Sequence, residues 1–324
     1  MNEIQTAIQN LLTTTPPRSK SLIVSLLGDA IEPRGGSFWM GTLIQLLAPF
    51  GINERSARTS VQRLSQDGWL RSERHGRRSR YSLTDEGLAR IVQSRPRFYA
   101  PPRPDWDGRW AVVLIPSGSA QGRSRMRLRQ YLEWEGYSMA SSGLFIHPLG
   151  SAQAVRQILD ELGLQDQVYV FSATSLEGAG ALGLDDGVAR FWDLDSSRKD
   201  YRRFIQAFGR WPELVAAAPQ AVTAEQCFQL RLLTIHAFRR AALHAPRLPQ
   251  ELFPDHWEGL WAYDLCRSLY HRLWADAERF LSQRMADSDE PVTPLKPSFY
   301  ARFGGLKGAA NSAEDGVRNA RAVA

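Results

Sequence analysis

The stretch NERSARTSVQRLSQDGWLRSERHGRRSRYSLT, residues 53–84, decides the reading of this chain. Asn53 is a favourable N-cap, the helix it opens runs to Asp67, and Gly68 supplies the left-handed residue on which many helices end. At about 100° per residue, Ala57, Val61 and Leu64 share one side of that helix. Arg55, Thr59, Gln62 and Gln66 share the other, flanked by Arg58 and Arg63. A small apolar stripe packs inward, and guanidiniums, amides and hydroxyls point out. Guanidiniums suit guanine edges or phosphates, and amides and hydroxyls suit other base edges, so the outer face is chemically matched to a major groove.

After Gly68, Trp69 to Arg74 and Ser79 to Leu83 alternate apolar and polar residues around His75-Gly76-Arg77-Arg78, the pattern of two strands and a turn. Arg74, Arg77, Arg78 and Arg80 gather at the tip, where they can straddle phosphates or enter a minor groove. Thr84 caps a further helix, DEGLARIVQ. A recognition helix followed by an arginine-tipped hairpin is the order of a winged helix-turn-helix. Upstream, SKSLIVSLLGDAI and the run from Trp39 to Leu47 supply the first two helices, joined by the linker EPRGGS.

Any single arginine is most often a solvated surface charge; the distribution argues otherwise here. Residues 53–103 hold twelve Arg and five acids, a local charge of +7, while the whole chain is +6. The remainder is therefore close to neutral, and the positive field is confined to one module, as an electrostatic footprint for nucleic acid requires. The preference for arginine over lysine carries less weight, because only four of the forty basic residues of the whole chain are Lys.

The chain of 324 residues is too long for one such module. The winged helix takes residues 17–95, after an N-terminal extension, and SRPRFYAPPRPDWDG reads as a Pro-rich extended linker, 96–108. WAVVLIP then opens a β-α-β-β-α-β series over 109–195, the order of a ferredoxin-like domain. Residues 196–285 are helical throughout and form a third, all-α domain. Residues 286–324 turn to Asp, Ser, Pro, Gly and Ala and read as a mobile tail. The fold class is α+β, multidomain.

No stretch has the roughly 18 consecutive apolar residues of a membrane span, and the first residues lack a basic secretory n-region, so a soluble cytoplasmic protein is expected. Cys227 and Cys266 make neither a metal spacing nor a disulfide framework. The glycines of GAGALG, Gly178 to Gly183, match a dinucleotide-loop pattern, but LDDGVARFWDLD follows instead of a helix and a second parallel strand. There is no HExxH and no GxSxG. His236 and His244 lie about two helical turns apart, yet helix histidines with satisfied partners are commoner than metal ligands. No enzyme, metal or cofactor is expected.

Taken together, TPPRSKSLIVSLLGD (15–29), RSARTSVQRLSQDGWL (55–70), GRRSRYSLTDEG (76–87), WDGRWAVVLIP (106–116) and APRLPQELFPDHWEG (245–259) resemble the PaaX-like family, the phenylacetic-acid degradation repressors. The resemblance implies a homodimeric repressor of an aromatic-acid catabolic operon that leaves double-stranded operator DNA when an acyl-CoA effector, typically phenylacetyl-CoA, binds. The middle part also looks like the small CRISPR-associated adaptation nuclease, whose metal carboxylate ends the first strand. Here that strand reads WAVVLIPSG, without an acid. For a CoA thioester, Arg239, Arg240, Arg247 and Trp257 are the candidate effector residues: cations for phosphates and an aromatic wall for the acyl group. The dimer interface is expected in the third or the middle domain. The competing reading is an RNA-binding or nucleic-acid-processing protein that uses the same two modules to read shape.

Overall fold

A computed structural model of the chain describes residues 3–101, 106–174, 188, 191–217, 222–287 and 293–306. Gly178 to Gly183 lie outside these, as do residues 307–324. The chain divides into two compact units: residues 1–101, 200–243 and 261–324 make the first, residues 102–199 and 244–260 the second.

The first unit starts with α1 (Glu3–Thr14), held by Ile4 and Ile8, which are both buried. Residues 3–14 are thus a packed helix, because the i, i+4 apolar pair Ile4 and Ile8 finds a core. Helix α2 (Ser19–Leu26) runs on through a π turn (Leu27–Ile31) and a 3-10 turn (Glu32–Arg34) that ends at Gly35, φ 94°. EPRGGS is therefore not a free linker. It leads into a short strand, β1 (Ser37–Trp39), and then α3 (Met40–Leu47).

Next come α4 (Glu54–Gln66), β2 (Leu70–His75), β3 (Arg78–Leu83) and α5 (Asp85–Tyr99). The strands form an antiparallel sheet in the order β1-β3-β2, with Phe38 opposite Tyr81 and Arg74 opposite Ser79. The linker expected from residue 96 begins later, because α5 continues through Pro96. Ile91, Phe98 and Tyr99 are buried, the Tyr99 hydroxyl donates to Asp29 (3.0 Å), and the Arg97 guanidinium donates to the Ala242 carbonyl (2.7 Å). These contacts outweigh the hydrogen bond lost at proline.

Of the residues expected to form a separate helical domain, 200–243 and 261–285 share this unit, while 196–199 and 244–260 fall in the second. Among the remaining helices α8 (Leu194–Phe208), α9 (Trp211–Ala217), α10 (Ala224–His244) and α11 (Glu258–Ala286), α10 buries Phe228 through Ile235 without a break. A helix buried all round belongs in the middle of a core.

At its centre Asp29 accepts from Tyr99 and from Tyr270 (2.8 Å), and pairs with Arg231 (3.0 Å) and Arg302 (3.1 Å). Arg231 also pairs with Glu278 (2.5 Å), which in turn meets Arg34. Burial alone would lower the pKa of Arg231, but Asp29 and Glu278 outweigh it and hold the guanidinium charged.

The tail expected after Met285 is in part folded: α12 (Pro297–Tyr300) and the turn Arg302–Gly304 put Phe299 and Phe303 at 0% and 1% exposure. Its polar, small-residue composition concealed two aromatic anchors and an arginine whose acceptors, Asp29 and the Gly28 carbonyl (2.9 Å), lie far away in sequence.

The second unit runs β4 (Arg109–Leu114), α6 (Gly122–Glu135), β5 (Ser138–Ser141), β6 (Leu144–His147), α7 (Ala152–Leu162) and β7 (Tyr169–Thr174). Its four strands are ordered β5-β6-β4-β7 and all pairs are antiparallel. Val113, Phe145, Leu128, Leu132, Val155 and Leu159 form its core, between the two helices and one face of the sheet. Gly143, φ 87°, turns β5 into β6, and a Cβ there would lie 2.4 Å from the Ile115 carbonyl.

Candidate nucleic-acid interface

Helix α4 is built as its caps require. Asn53 Oδ1 accepts the Ser56 N–H (2.9 Å), and Gly68 takes φ 76° at the far end. Ala57, Val61 and Leu64 are fully buried, so rotation of the helix about its axis is set by the core. Its carboxyl end is tied down by Lys20 on Asp67 (2.5 Å) and by Arg90, which reaches the Asp67 carbonyl (3.3 Å) and lies over the Trp69 ring.

That leaves Arg55, Arg58, Thr59, Gln62 and Arg63 exposed on the opposite face. Arg55, Gln62 and Arg63 have no hydrogen-bond or ion-pair partner for their side chains among the described residues. Arg58 pairs with Glu54 one turn earlier (2.7 Å), and the Thr59 hydroxyl donates to the Arg55 carbonyl (2.9 Å).

The hairpin closes through a two-residue loop, Gly76-Arg77, with Gly76 at φ 59°. Glycine at the first loop position is what a tight hairpin of this hand needs. Arg74, Arg77 and Arg78 are exposed at this end, with the Arg74 guanidinium directed to the Gly76 carbonyl (3.3 Å). Arg80 differs from the tip position expected of it. It is half-buried, donates to Ser37 Oγ (2.8 Å) and lies over the Trp39 ring at 5.9 Å. Strand β1, which the sequence reading merged into linker and helix, is the element that draws it in. The paired signal, an aromatic Phe38-Trp39 just after two glycines, is too short to register as a strand on its own.

The four effector candidates are divided. Arg239 belongs to the first unit, donates to Ser25 Oγ (3.1 Å) and the Ser21 carbonyl (3.4 Å), and its pKa is lowered by burial and by Arg240. Arg240, beside it in sequence, is exposed. In the second unit Arg247 is exposed, whereas Trp257 is buried, stacked on Phe253 (4.6 Å) and under the Arg198 guanidinium.

His236 and both cysteines are buried. His236 Nδ1 is 2.9 Å from Ser25 Oγ, and burial pushes its pKa down to about 3. Both cysteines are buried, and burial pushes the Cys227 thiol up to about 12. Among the described residues no group of three or more His, Cys, Asp or Glu could hold a metal ion, and no helix is long and apolar enough to cross a membrane.

Three family models cover most of the chain: PaaX-like protein over residues 18–87, the PaaX protein central Cas2-like domain over 103–182, and the PaaX-like protein C-terminal domain over 192–283. The chain belongs to the PaaX-like family. The transcriptional repressor PaaX of Escherichia coli (strain K12) is 35% identical over 306 residues, which cover 94% of this chain and 96% of that one. A solved structure of an uncharacterized protein from Mycobacterium tuberculosis is 23% identical, with a TM-score of 0.47 over 80% of this chain and 98% of that one. The first PaaX-like match contains every one of the exposed α4 and hairpin arginines described above, and the Cas2-like match begins just before β4.

Proposed function

We propose that this PaaX-like chain is a sequence-specific, DNA-binding transcriptional repressor of a phenylacetate catabolic operon. It leaves its operator when an acyl-CoA effector binds, phenylacetyl-CoA being the first candidate. The observation that carries the reading is the capped, core-registered helix α4, whose Arg55, Gln62 and Arg63 have no partner within the described protein and stand next to an arginine-tipped hairpin. Residues 17–95 act as a winged helix-turn-helix, with α4 in a major groove and Arg74, Arg77 and Arg78 on the adjacent backbone. The central four-stranded unit is ferredoxin-like in this reading.

One recognition helix reads too few base pairs to find one site in a genome, so the protein works as a homodimer on a palindrome. The effector must bind the DNA-competent and DNA-released forms with different affinity, since equal affinity shifts nothing. The test is binding of the purified protein to promoter DNA beside its own gene and neighbouring catabolic genes, titrated with phenylacetyl-CoA and with free phenylacetate. Release by the thioester alone is expected. Tight binding indifferent to both compounds would remove the effector, and absence of any sequence preference would remove the repressor.

A further inference from the structure

Towards its tip the hairpin of the first unit leaves the rest of its sheet behind. Strand β1 pairs with β3 at Ser82, Tyr81 and Arg80, so the part beyond, Arg74 to Ser79, is a ribbon two strands wide. Residues 71–78 are all exposed, and a two-stranded ribbon in water is marginal unless something packs against it. Yet this ribbon carries Arg74, Arg77 and Arg78. Their use on a phosphate backbone depends on where the ribbon points before DNA arrives, because a preorganised contact loses less entropy on binding.

Trp39 reaches into that ribbon from the core. Its backbone is fixed where β1 runs into α3, at the N-cap position, between the buried Phe38 and Met40. Directly opposed residues of an antiparallel pair project to the same side of a sheet, so Trp39 shares a face with Arg80 and, one strand further, with Glu73. The indole crosses that face. The Arg80 guanidinium lies over it at 5.9 Å, and the His75 ring of β2 meets it edge to face, with centroids 5.5 Å apart and planes at 78°. Ser37 Oγ accepts from Arg80 (2.8 Å), and on the other face Phe38 stacks on Tyr81 (5.8 Å). Strand β1 thus grips β3 from both sides, and the indole carries the grip on to His75, the residue next to the Gly76-Arg77 loop. Ring-edge and cation-over-ring contacts are directional, so together they fix an angle as well as a distance.

We propose that Trp39 is a positioning residue for DNA binding: through Arg80 and His75 it acts as a strut that holds the arginine-tipped hairpin at a set angle to α4. The proposal rests on the DNA-binding role given to that hairpin above.

The experiment has two arms, both on the full-length protein. Without DNA, hydrogen exchange of the hairpin and of α4 is compared in the wild type, Trp39→Ala, Trp39→Phe and His75→Ala. Trp39→Ala is expected to speed exchange over residues 72–79 several-fold while residues 54–66 keep their protection, and Trp39→Phe to restore most of it. His75 is exposed, so His75→Ala removes the far contact without touching the core and is expected to loosen the same residues. Unchanged exchange in the hairpin, or exchange raised equally in α4, would overturn the strut. With DNA, Trp39→Ala is expected to weaken binding to every sequence about tenfold, to lower the salt slope by up to about 2, and to leave base preference as it is. Adding Arg77→Ala should then cost far less than in the wild type, because the tip is already misplaced. An equal cost in both backgrounds overturns the positioning role. The two readings fail separately. A hairpin loosened by Trp39→Ala in a protein without sequence preference keeps the strut and overturns the DNA assignment. DNA read with full preference by a protein whose hairpin ignores Trp39→Ala does the reverse.

Discussion

Arg231 and Arg55 carry the same guanidinium and meet opposite fates. Arg231 is 0% exposed, with Asp29 and Glu278 on its two sides and the rings of Tyr270 and Phe299 around it. Arg55 lies on a polar helix face in water with no acceptor within the described protein. A buried charge persists only where an opposite charge or several hydrogen bonds compensate for its lost hydration, so the partners of Arg231 are a condition of folding. An exposed guanidinium has no such condition, and its hydrogen-bonding capacity remains available to a ligand. The contrast teaches that an arginine count says little until the location of the carboxylates is known.

The sharpest way to break this comparison is at the core. Arg231→Met leaves Asp29 and Glu278 facing each other with less positive charge between them, and a loss of about 3–5 kcal/mol is expected from breaking one side of a buried pair. Urea unfolding measures it; a loss below about 1 kcal/mol would mean the cluster is not the central fixture of the first unit.

Acid tests the same core through His236. The unfolded imidazole takes up a proton near pH 6.5, whereas the folded one resists until about 3, so between those values the unfolded state binds more protons. Stability therefore falls as pH drops from 6.5 towards 3, by up to about 1.4 kcal/mol per pH unit from this group. His236→Gln should flatten the slope of unfolding free energy against pH in that window. An unchanged slope would contradict the assignment.

On the exposed side, Arg55→Ala or Gln62→Ala is expected to cost about 1–3 kcal/mol of discrimination at one base position. Folding stability should move by no more than about 0.5 kcal/mol. Arg77→Ala or Arg78→Ala should weaken all sequences alike and reduce the salt slope of binding by about 1 each. Anisotropy with randomised operators at several salt concentrations distinguishes the two patterns; uniform loss from both sets would erase the division between base reading and backbone positioning.

The smallest effect is expected at the exposed Glu54–Arg58 pair, where Glu54→Gln should change stability by only about 0.3–0.5 kcal/mol in a thermal or urea melt.

How much of this was legible in the sequence depended on distance along the chain. The bounds of α4 and the hairpin were readable to within a residue or two, because Asn53, Gly68 and Gly76 act on their immediate neighbours. The β-α-β-β-α-β order of 109–174 was equally local, with β4, β6 and β7 each marked by an apolar run and only β5, SMAS, weakly signalled. The helical run after residue 196 was visible, but the membership of residues 200–243 and 261–285 in the first unit was not, since no periodicity reports that Arg231 will meet Asp29 some two hundred residues away. Trp257 illustrates the same limit. Its aromatic character invited a ligand wall, and nothing in the local sequence showed that it would be buried in a stack with Phe253.

By itself the sequence determined the cap-to-cap helix α4, its inward stripe, the glycine-first hairpin and the concentration of positive charge around them, because those depend on backbone conformation and on charges adjacent in the chain. Only the tertiary structure decided which arginines are spent inside the protein. Asp29 gathers Arg231 and Arg302, Ser37 and Trp39 hold Arg80, Ser25 holds Arg239, and Phe299 and Phe303 fold a segment whose composition reads as tail. Burial and charge pairing are set by whatever the folded chain brings together, and that is a property of the three-dimensional core rather than of any window of sequence.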